Sequence, residues 1–336
     1  MSNYSHFSTN SAKEREVLKK LKYILIIITI AVVLFALFYK SGNNTSAYSK
    51  TEFLMDTECT IKVFEKGKNA EAAVSSAFAE ISRIENLTSI YIESSDISRI
   101  NSANANEPIK IDSSAFEIIK IALEISEKSD GAFDITISPV KELWSFKNPS
   151  GIPSSAEISE KLSYVNYRSI IINETEKTVT KLNENTKIDL GGIAKGYCGD
   201  LVKEILISSG IECGIIDLGG SVTVFGDNPS SKDKKWGIGL QVPFEATGTY
   251  NKVIRAYNCS VVSSGSYERY FEYEGKLYHH ILDPSTGYPT ETGINGVSII
   301  HESSMLADAL STACFVLGKE KGTALAKSYG AEIHFE

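Results

Sequence analysis

Apolar positions recur along this chain with two periods. From Cys59, "CTIKVFE" alternates apolar and polar residues, as a strand with one buried face must. Just beyond, "NAEAAVSSAFAEISRIENLTS" carries apolar residues every three or four positions, which predicts a helix with Asn69 as its cap. "SSAFEIIKIALEISEKSDG" repeats that pattern, with Ser113 or Ser114 as cap and Gly131 just past the last turn. The period then returns to two: Ser163 to Leu190 reads as strands with a turn at Asn173–Lys177. "AKGYCGDLVKEILISSG" predicts a helix ended by Gly210, and "GIIDLGGSVTVFG", "WGIGLQV", "KVIRAYNCSVVSSGS" and "YFEYEGKLYHHIL" predict strands. Two helices separated near Gly318 and a last strand, "AEIHFE", complete the pattern. Helices and strands interleave, yet many strands are linked as hairpins. The expected fold is therefore α+β: one compact domain over 51–336, with an irregular lobe around 130–165.

One segment fits neither period. From Tyr23 to Tyr39 no residue is charged, and a run of about 17 apolar residues is near the lower limit for a spanning helix. Lys13, Arg15, Lys19, Lys20 and Lys22 precede it. Basic flanks stay in the cytoplasm, so the expectation is a cytoplasmic tail over 1–22, a transmembrane anchor over 23–39 and a Ser/Asn/Gly linker over 40–50. The domain would then sit outside the cell membrane. The net charge of −8 removes a general nucleic-acid surface from consideration. The five cysteines form no C-x-x-C pair, which argues against structural zinc and leaves them as small buried apolar residues.

The word Ile-Asp-Leu-Gly-Gly occurs twice, at Ile188 and at Ile216. The flanks differ: the first copy opens a helix and carries Lys195 one turn on, whereas the second runs into a β-branched strand. Duplication is thus rejected. At the first copy, glycines allow close backbone approach and a helix start offers free N–H groups, so it reads either as an anion site or as a tight strand-to-helix turn. Asp217 in the second copy reads as a turn-stabilising carboxylate. Asp308 and Thr312 lie four apart and share a helix face. A carboxylate and a hydroxyl so placed can hold Mg²⁺, or can be a surface Asp beside a Thr bonded to its own helix. His279 and His280 point to opposite faces of a strand; His280 suits a general base, and His279 a half-buried structural role. Phe133, Asp134, Tyr91 and Met55 offer flat, soft or acidic groups that could border a ring, though each is by default a core residue.

Taken in order, "MDT", "DGAFDITISPV", "IDLGGIAKGY", "VVSSGSYERYF", "HHILDPSTGYP" and "ADALSTACFVLG" resemble the FAD:protein FMN transferases, the ApbE-type flavin transferases, from about Thr51 to the end of the chain. The resemblance implies binding of FAD and Mg²⁺, cleavage of the pyrophosphate, transfer of FMN to a Ser or Thr hydroxyl of a partner protein, and release of AMP. It implies an acceptor sequence Asp-x-x-(Ser/Thr)-Gly-Ala-(Ser/Thr), expected in a membrane or secreted electron-transfer protein. Asp308, Thr312 and the backbone carbonyl of Gly192 would bind the metal. His280 would take the acceptor proton. Met55, Tyr91, Ala132, Phe133, Asp134, Asp189, Lys195 and Leu282 would contact FAD. Ser311 stands where some relatives carry a second Asp, which puts a second metal in doubt. Two other functions remain open on sequence alone: an FAD pyrophosphatase releasing FMN and AMP, and a non-catalytic flavin-binding or electron-transfer protein.

Overall fold

The computed structural model describes residues 47–65, 67–147, 149 and 151–336. The expected tail and anchor, and the linker as far as residue 46, lie outside the described residues. Within these, no helix is long and apolar enough to cross a membrane.

In chain order, strands β1 (Tyr48–Leu54) and β2 (Thr57–Val63) lead into helices α1 (Lys68–Thr88) and α2 (Asp96–Ser102). Strand β3 (Ile109–Lys110), α3 (Ser113–Lys128), α4 (Ser138–Trp144) and α5 (Ser155–Leu162) follow. Next come the hairpin β4 (Ile170–Asn173) and β5 (Thr178–Lys181), α6 (Ala194–Ser208), and the hairpin β6 (Gly214–Leu218) and β7 (Ser221–Phe225). The chain then forms β8 (Trp236–Gln241), β9 (Tyr250–Ala256), β10 (Ser260–Gly265), β11 (Tyr270–Tyr273) and β12 (Lys276–His279). It ends with β13 (Gly296–His301), α7 (Ser304–Ser328) and β14 (Glu332–Phe335). The mixed helix-and-strand domain expected from sequence is present.

The central sheet has seven strands in the order β1-β2-β6-β7-β10-β13-β14, all antiparallel. Its pleat divides the apolar residues cleanly. Ile216, Leu218, Val262 and Ile299 face the main core, where α1, α6 and α7 contribute Phe78, Val202 and Leu310. Their neighbours Ile215, Val261 and Ile300 face the other way, onto Trp236, Ile238 and Leu240 of the β8–β9 hairpin. Alternation with period two thus supplies both faces, and each fully buried Ile, Leu or Phe is worth about 1.5–3 kcal/mol.

Several local expectations need correction. Asn69 does not cap α1. Gly67 holds that position at φ 105, and the Asn69 amide donates instead to the Ser209 carbonyl at 3.2 Å. Neither Ser113 nor Ser114 caps α3; Asp112 does, accepting from the Ser114 N–H at 2.8 Å, because a carboxylate one residue earlier reaches the orphan donors. The lobe around 130–165 is not irregular: it carries α4 and α5, the latter with a full capping box between Ser154 and Glu157. Strand β1 begins at Tyr48, inside the stretch read as linker, and "IDLGG" at Ile188 is entered by loop rather than strand, with only a single bridge from Lys187 to Ile137. Gly318 does interrupt α7, at φ 76 and ψ −178.

Helices α6 and α7 approach unusually closely. A Cβ on Gly196 would overlap the Ser304 carbonyl and lie 2.6 Å from Asp308 Cβ; one on Gly199 would lie 2.7 Å from Ser304 Oγ. Beneath α7, small hydroxyl residues pair across the buried interface with the sheet: Ser221 with Ser304 at 3.2 Å, and Ser264 with Ser311 at 2.7 Å. Their small size permits the approach, and their mutual pairing removes the penalty of burying them. Gly196→Ala is expected to cost about 3 kcal/mol or more in urea unfolding, because both obstacles are backbone or Cβ atoms that cannot rotate away. A loss under about 0.5 kcal/mol would mean the helices are not packed this tightly.

Candidate active site

The first two turns of α6, with the loop just before them, meet the first half of α7 in antiparallel register. Asp200 anchors one end. Its carboxylate accepts from the Ser303 hydroxyl at 2.8 Å and from the N–H groups of Ser304 at 2.8 Å and Met305 at 3.0 Å. It therefore caps α7 from a neighbouring helix, at the positive end of its dipole. One turn back along α6, the Gly196 N–H donates to Asp308 Oδ2 at 2.9 Å, which leaves Oδ1 with no hydrogen bond among the described residues. One turn further back, a Cβ on Gly192 would sit 3.4 Å from Thr312 Oγ1 and 3.1 Å from Phe133 Cε2. Gly192, Asp308 and Thr312 are thus brought together as the sequence expected. Burial pushes the Asp308 carboxyl up from its ordinary range, and Lys195 and the Gly196 N–H partly oppose that rise.

Among the described residues, no three His, Cys, Asp or Glu side chains gather as a metal cage. The side-chain groups here are one carboxylate and one hydroxyl, both hard oxygen, with the Gly192 backbone alongside. A set this sparse suits Mg²⁺, which keeps several waters and shares its sphere with substrate phosphates. The residues fit that ion.

The second wall is cationic, although the chain is acidic overall. Lys141, from α4, donates to Asp189 Oδ2 at 2.5 Å, while Asp189 Oδ1 accepts from the Gly191 N–H at 2.7 Å. Burial alone would raise the Asp189 carboxyl; Lys141 and the Gly191 N–H overcome it and hold the group below its usual range. The same carboxylate raises the Lys141 ammonium. Lys195 lies over the loop, 3.5 Å from the Gly191 carbonyl. Asp56 joins three segments, bound to Lys147 at 2.7 Å and to Arg269 at 2.8 Å. It follows Met55 in a hairpin turn where both residues have positive φ, 52 and 63, and neither is glycine. The Met55 N–H is held by Glu85 Oε1 at 2.8 Å, and Lys147 also lies over the Tyr91 ring at 5.5 Å.

His280 stands among these charges. Its Nδ1 is buried with no hydrogen-bond partner among the described residues. Burial lowers the imidazole first, and Lys141 and Arg269 lower it further, to about 3. The ring is therefore neutral near pH 7. His279 is different. Its Nδ1 accepts from the Ile281 N–H at 3.3 Å, so Nε2 carries the proton and donates to the Thr290 carbonyl at 3.0 Å; its ring meets Phe315 edge-on. It is a structural histidine, as expected.

Other expected contacts are less open. Asp134 turns inward: Oδ1 accepts from the Thr136 N–H and hydroxyl at 2.8 and 2.6 Å, and Oδ2 from the Tyr167 N–H at 3.0 Å. Leu282 is buried in a small cluster with Val140, Trp144 and Ile158. Ala132 is a half-buried turn residue next to Phe133. In the second "IDLGG", Asp217 accepts from the Gly220 N–H at 3.1 Å, the turn-stabilising role expected of it.

Residues 55–335 match the family model described as "ApbE family". The chain belongs to the ApbE family. It is 34% identical to the FAD:protein FMN transferase of Klebsiella pneumoniae over 84% of this chain and 86% of that one. The FAD:protein FMN transferase of Treponema pallidum is 32% identical, over 84% and 82%. The crystal structure of the ApbE protein from Thermotoga maritima superposes with a TM-score of 0.78 at 33% identity, covering 86% of this chain and 94% of that one. Membership in the ApbE family places the chain among transferases.

Sequence reasoning missed Lys141, Asp200, Asp56 and Arg269. Asp200 had a readable signal, four residues after Gly196 and hence on the same helix face. Lys141 had none, since its partner lies 48 residues away.

The histidine environment has a consequence in acid. A group whose folded pKa is lowered leaves the unfolded chain to bind the extra proton, so stability is full above pH 6.5 and falls as pH drops toward 3. His280→Gln is therefore expected to gain on the order of 1–2 kcal/mol over wild type near pH 5 and nothing at pH 8. Thermal melts across that range check it; equal differences at both pH values would contradict a neutral, charge-flanked His280.

Proposed function

We propose that this chain is a FAD:protein FMN transferase, moving FMN from FAD to a Ser or Thr hydroxyl of a partner protein with release of AMP. The observation that carries this reading is the antiparallel match of Gly192 with Thr312 and Gly196 with Asp308, set beside the cationic wall of Lys141, Lys195 and Arg269. Mg²⁺ bound by Asp308, Thr312 and the Gly192 carbonyl would neutralise charge on the pyrophosphate. Phosphoryl transfer asks mainly for positioning and charge neutralisation, which such a wall supplies. Met55, Tyr91 and Phe133 would border the flavin, and the Asp189–Lys141 pair holds the loop that carries Gly191 and Gly192.

His280 is the base of this reading. Its unpaired imidazole takes the proton of the acceptor hydroxyl; the oxygen bonds to the phosphorus of the FMN half; the bond to the bridging oxygen breaks, and AMP leaves with those electrons. The flanking cations keep His280 unprotonated and ready. The anionic pyrophosphate then offsets their charge and lifts the imidazole toward a range in which a base is effective. The segment Tyr23–Tyr39 would anchor the protein, with its domain outside the cell, where a membrane or secreted electron-transfer protein could serve as acceptor.

The test is direct. The full chain is incubated with FAD, Mg²⁺ and a peptide carrying Asp-x-x-Thr-Gly-Ala-Thr, and an acid-stable fluorescent peptide adduct is expected with one AMP per adduct. Free FMN and AMP without adduct would make the protein a pyrophosphatase, and bound flavin without turnover a carrier. Asp308→Ala should lower adduct formation at least 100-fold at saturating Mg²⁺, the range of removing about 2.7 kcal/mol of transition-state stabilisation. His280→Ala should retain FAD binding but stop transfer, whereas His279→Ala should affect stability more than rate. Removing residues 23–39 should move the protein from the membrane fraction to the soluble one; an unchanged distribution would refute the anchor.

A further inference from the structure

Among the described residues, strands β11 and β12 pair only with each other. The His280 N–H donates to the Arg269 carbonyl at 3.0 Å, continuing the register that pairs His279 with Tyr270. Bonded pairs alternate along an antiparallel ladder, so Lys276 and Tyr278 also bond β11. Leu277 and His279 then direct their N–H and C=O groups away from it, along an edge that pairs with no other strand among the described residues. Such an edge is a template for a further strand.

That edge is one wall of a cleft of about 460 Å³, inside the size range of about 300–1,000 Å³ typical of ligand sites. Tyr288, Pro289, Ile294 and Phe244 also line it. Phe244 is 47% exposed, and it is held at φ 64, a conformation that bulky side chains rarely adopt. Two cleft residues lead to the active site. His279 immediately precedes His280, whose side chain points to the opposite face. Ser266 is two residues past Ser264, whose hydroxyl lies 3.4 Å from Thr312 Oγ1. Along the chain, cleft residues therefore stand one position from His280 and two from Ser264.

We propose that this cleft receives the acceptor protein as an extended segment, which adds a strand to the free edge of β12 and packs alternate side chains against Phe244, Tyr288 and Ile294. This rests on the transferase reading above, which requires a protein hydroxyl to reach His280. Main-chain bonds supply affinity in this mode, and pockets for alternate side chains supply selectivity. Few outward groups are available, because beyond His279 the neighbouring position is taken: the Thr290 N–H donates to the Ile281 carbonyl at 3.0 Å. The recognised segment is therefore short, and its hydroxyl is delivered at the end of β12 where His280 stands.

The experiment uses the full chain, FAD, Mg²⁺ and the same acceptor peptide, with KM for peptide and the FAD dissociation constant measured separately. Leu277→Pro removes one outward N–H and keeps the bonds to β11; Phe244→Asp alters an exposed wall of the cleft. Each is expected to raise the peptide KM at least 10-fold, with kcat within 3-fold and FAD affinity unchanged. Peptides N-methylated at alternate backbone positions should split into two sets, one binding at least 10-fold more weakly and one unaffected. An unchanged KM for both variants, a fall in kcat at constant KM, or equal effects of all N-methyl positions would overturn the docking proposal. If Leu277→Pro loses FAD binding through misfolding, Phe244→Asp and the peptide series decide. A wild-type chain that consumes FAD without marking the peptide would refute the transferase reading itself, and the docking site with it.

Discussion

The hydrogen bond from the Gly196 N–H to the Asp308 carboxylate is the constraint on which the rest of the site depends. It exists only because residue 196 has no side chain, so that two helices can approach until backbone meets carboxylate. The same approach places Thr312 beside Gly192 and sets the start of α7 against Asp200. Burying a carboxylate costs several kcal/mol unless it is hydrogen-bonded or paired, and here one oxygen is satisfied while the other remains open. A group in that state has a strong physical reason to bind a cation. The hydroxyl layer beneath α7 serves the same geometry, since larger apolar residues there would lift the helix away from the sheet.

Charge on the opposite wall follows a complementary logic. Lys141 neutralises Asp189 and at the same time helps to keep His280 unprotonated. One ammonium thus holds a loop in shape and helps to set the protonation of an imidazole on a distant segment. Arg269 also acts in two ways, through the ion pair with Asp56 and through its field at His280. These links connect the first hairpin, the α4 region and the β10–β11 turn.

Much of this was legible in the sequence. The alternating strands, the helix ended by Gly210 and the break at Gly318 carry strong local signals, because period and glycine placement reflect backbone geometry directly. Helical spacing puts Asp308 and Thr312 on one face, and strand alternation separates the settings of the two histidines. The caps of α1 and α3 were misplaced by one or two residues, since several polar residues compete near each start and tertiary contacts choose among them. Helices α4 and α5 were missed: Pro139 and Pro153 mark turns as readily as helix starts, and the apolar stripes are too short to read. The partnership of Lys141 with Asp189 and the cross-helix cap by Asp200 were invisible for another reason. They are decided by which elements pack together, and no local pattern encodes that.

The Gly192 carbonyl has a consequence for how such a site can change. A donor supplied by the main chain is present whatever the codon specifies, so no single substitution deletes it; replacement can only displace it, through the crowding of a Cβ against Phe133 at 3.1 Å. In the proposed arrangement the two donors that mutation can erase, Asp308 and Thr312, both lie on one turn of one helix. The ligand groups that a single codon can delete are thereby confined to a very short stretch of α7, whereas Gly196 on α6 and Gly192 in the loop are held by their lack of a side chain instead.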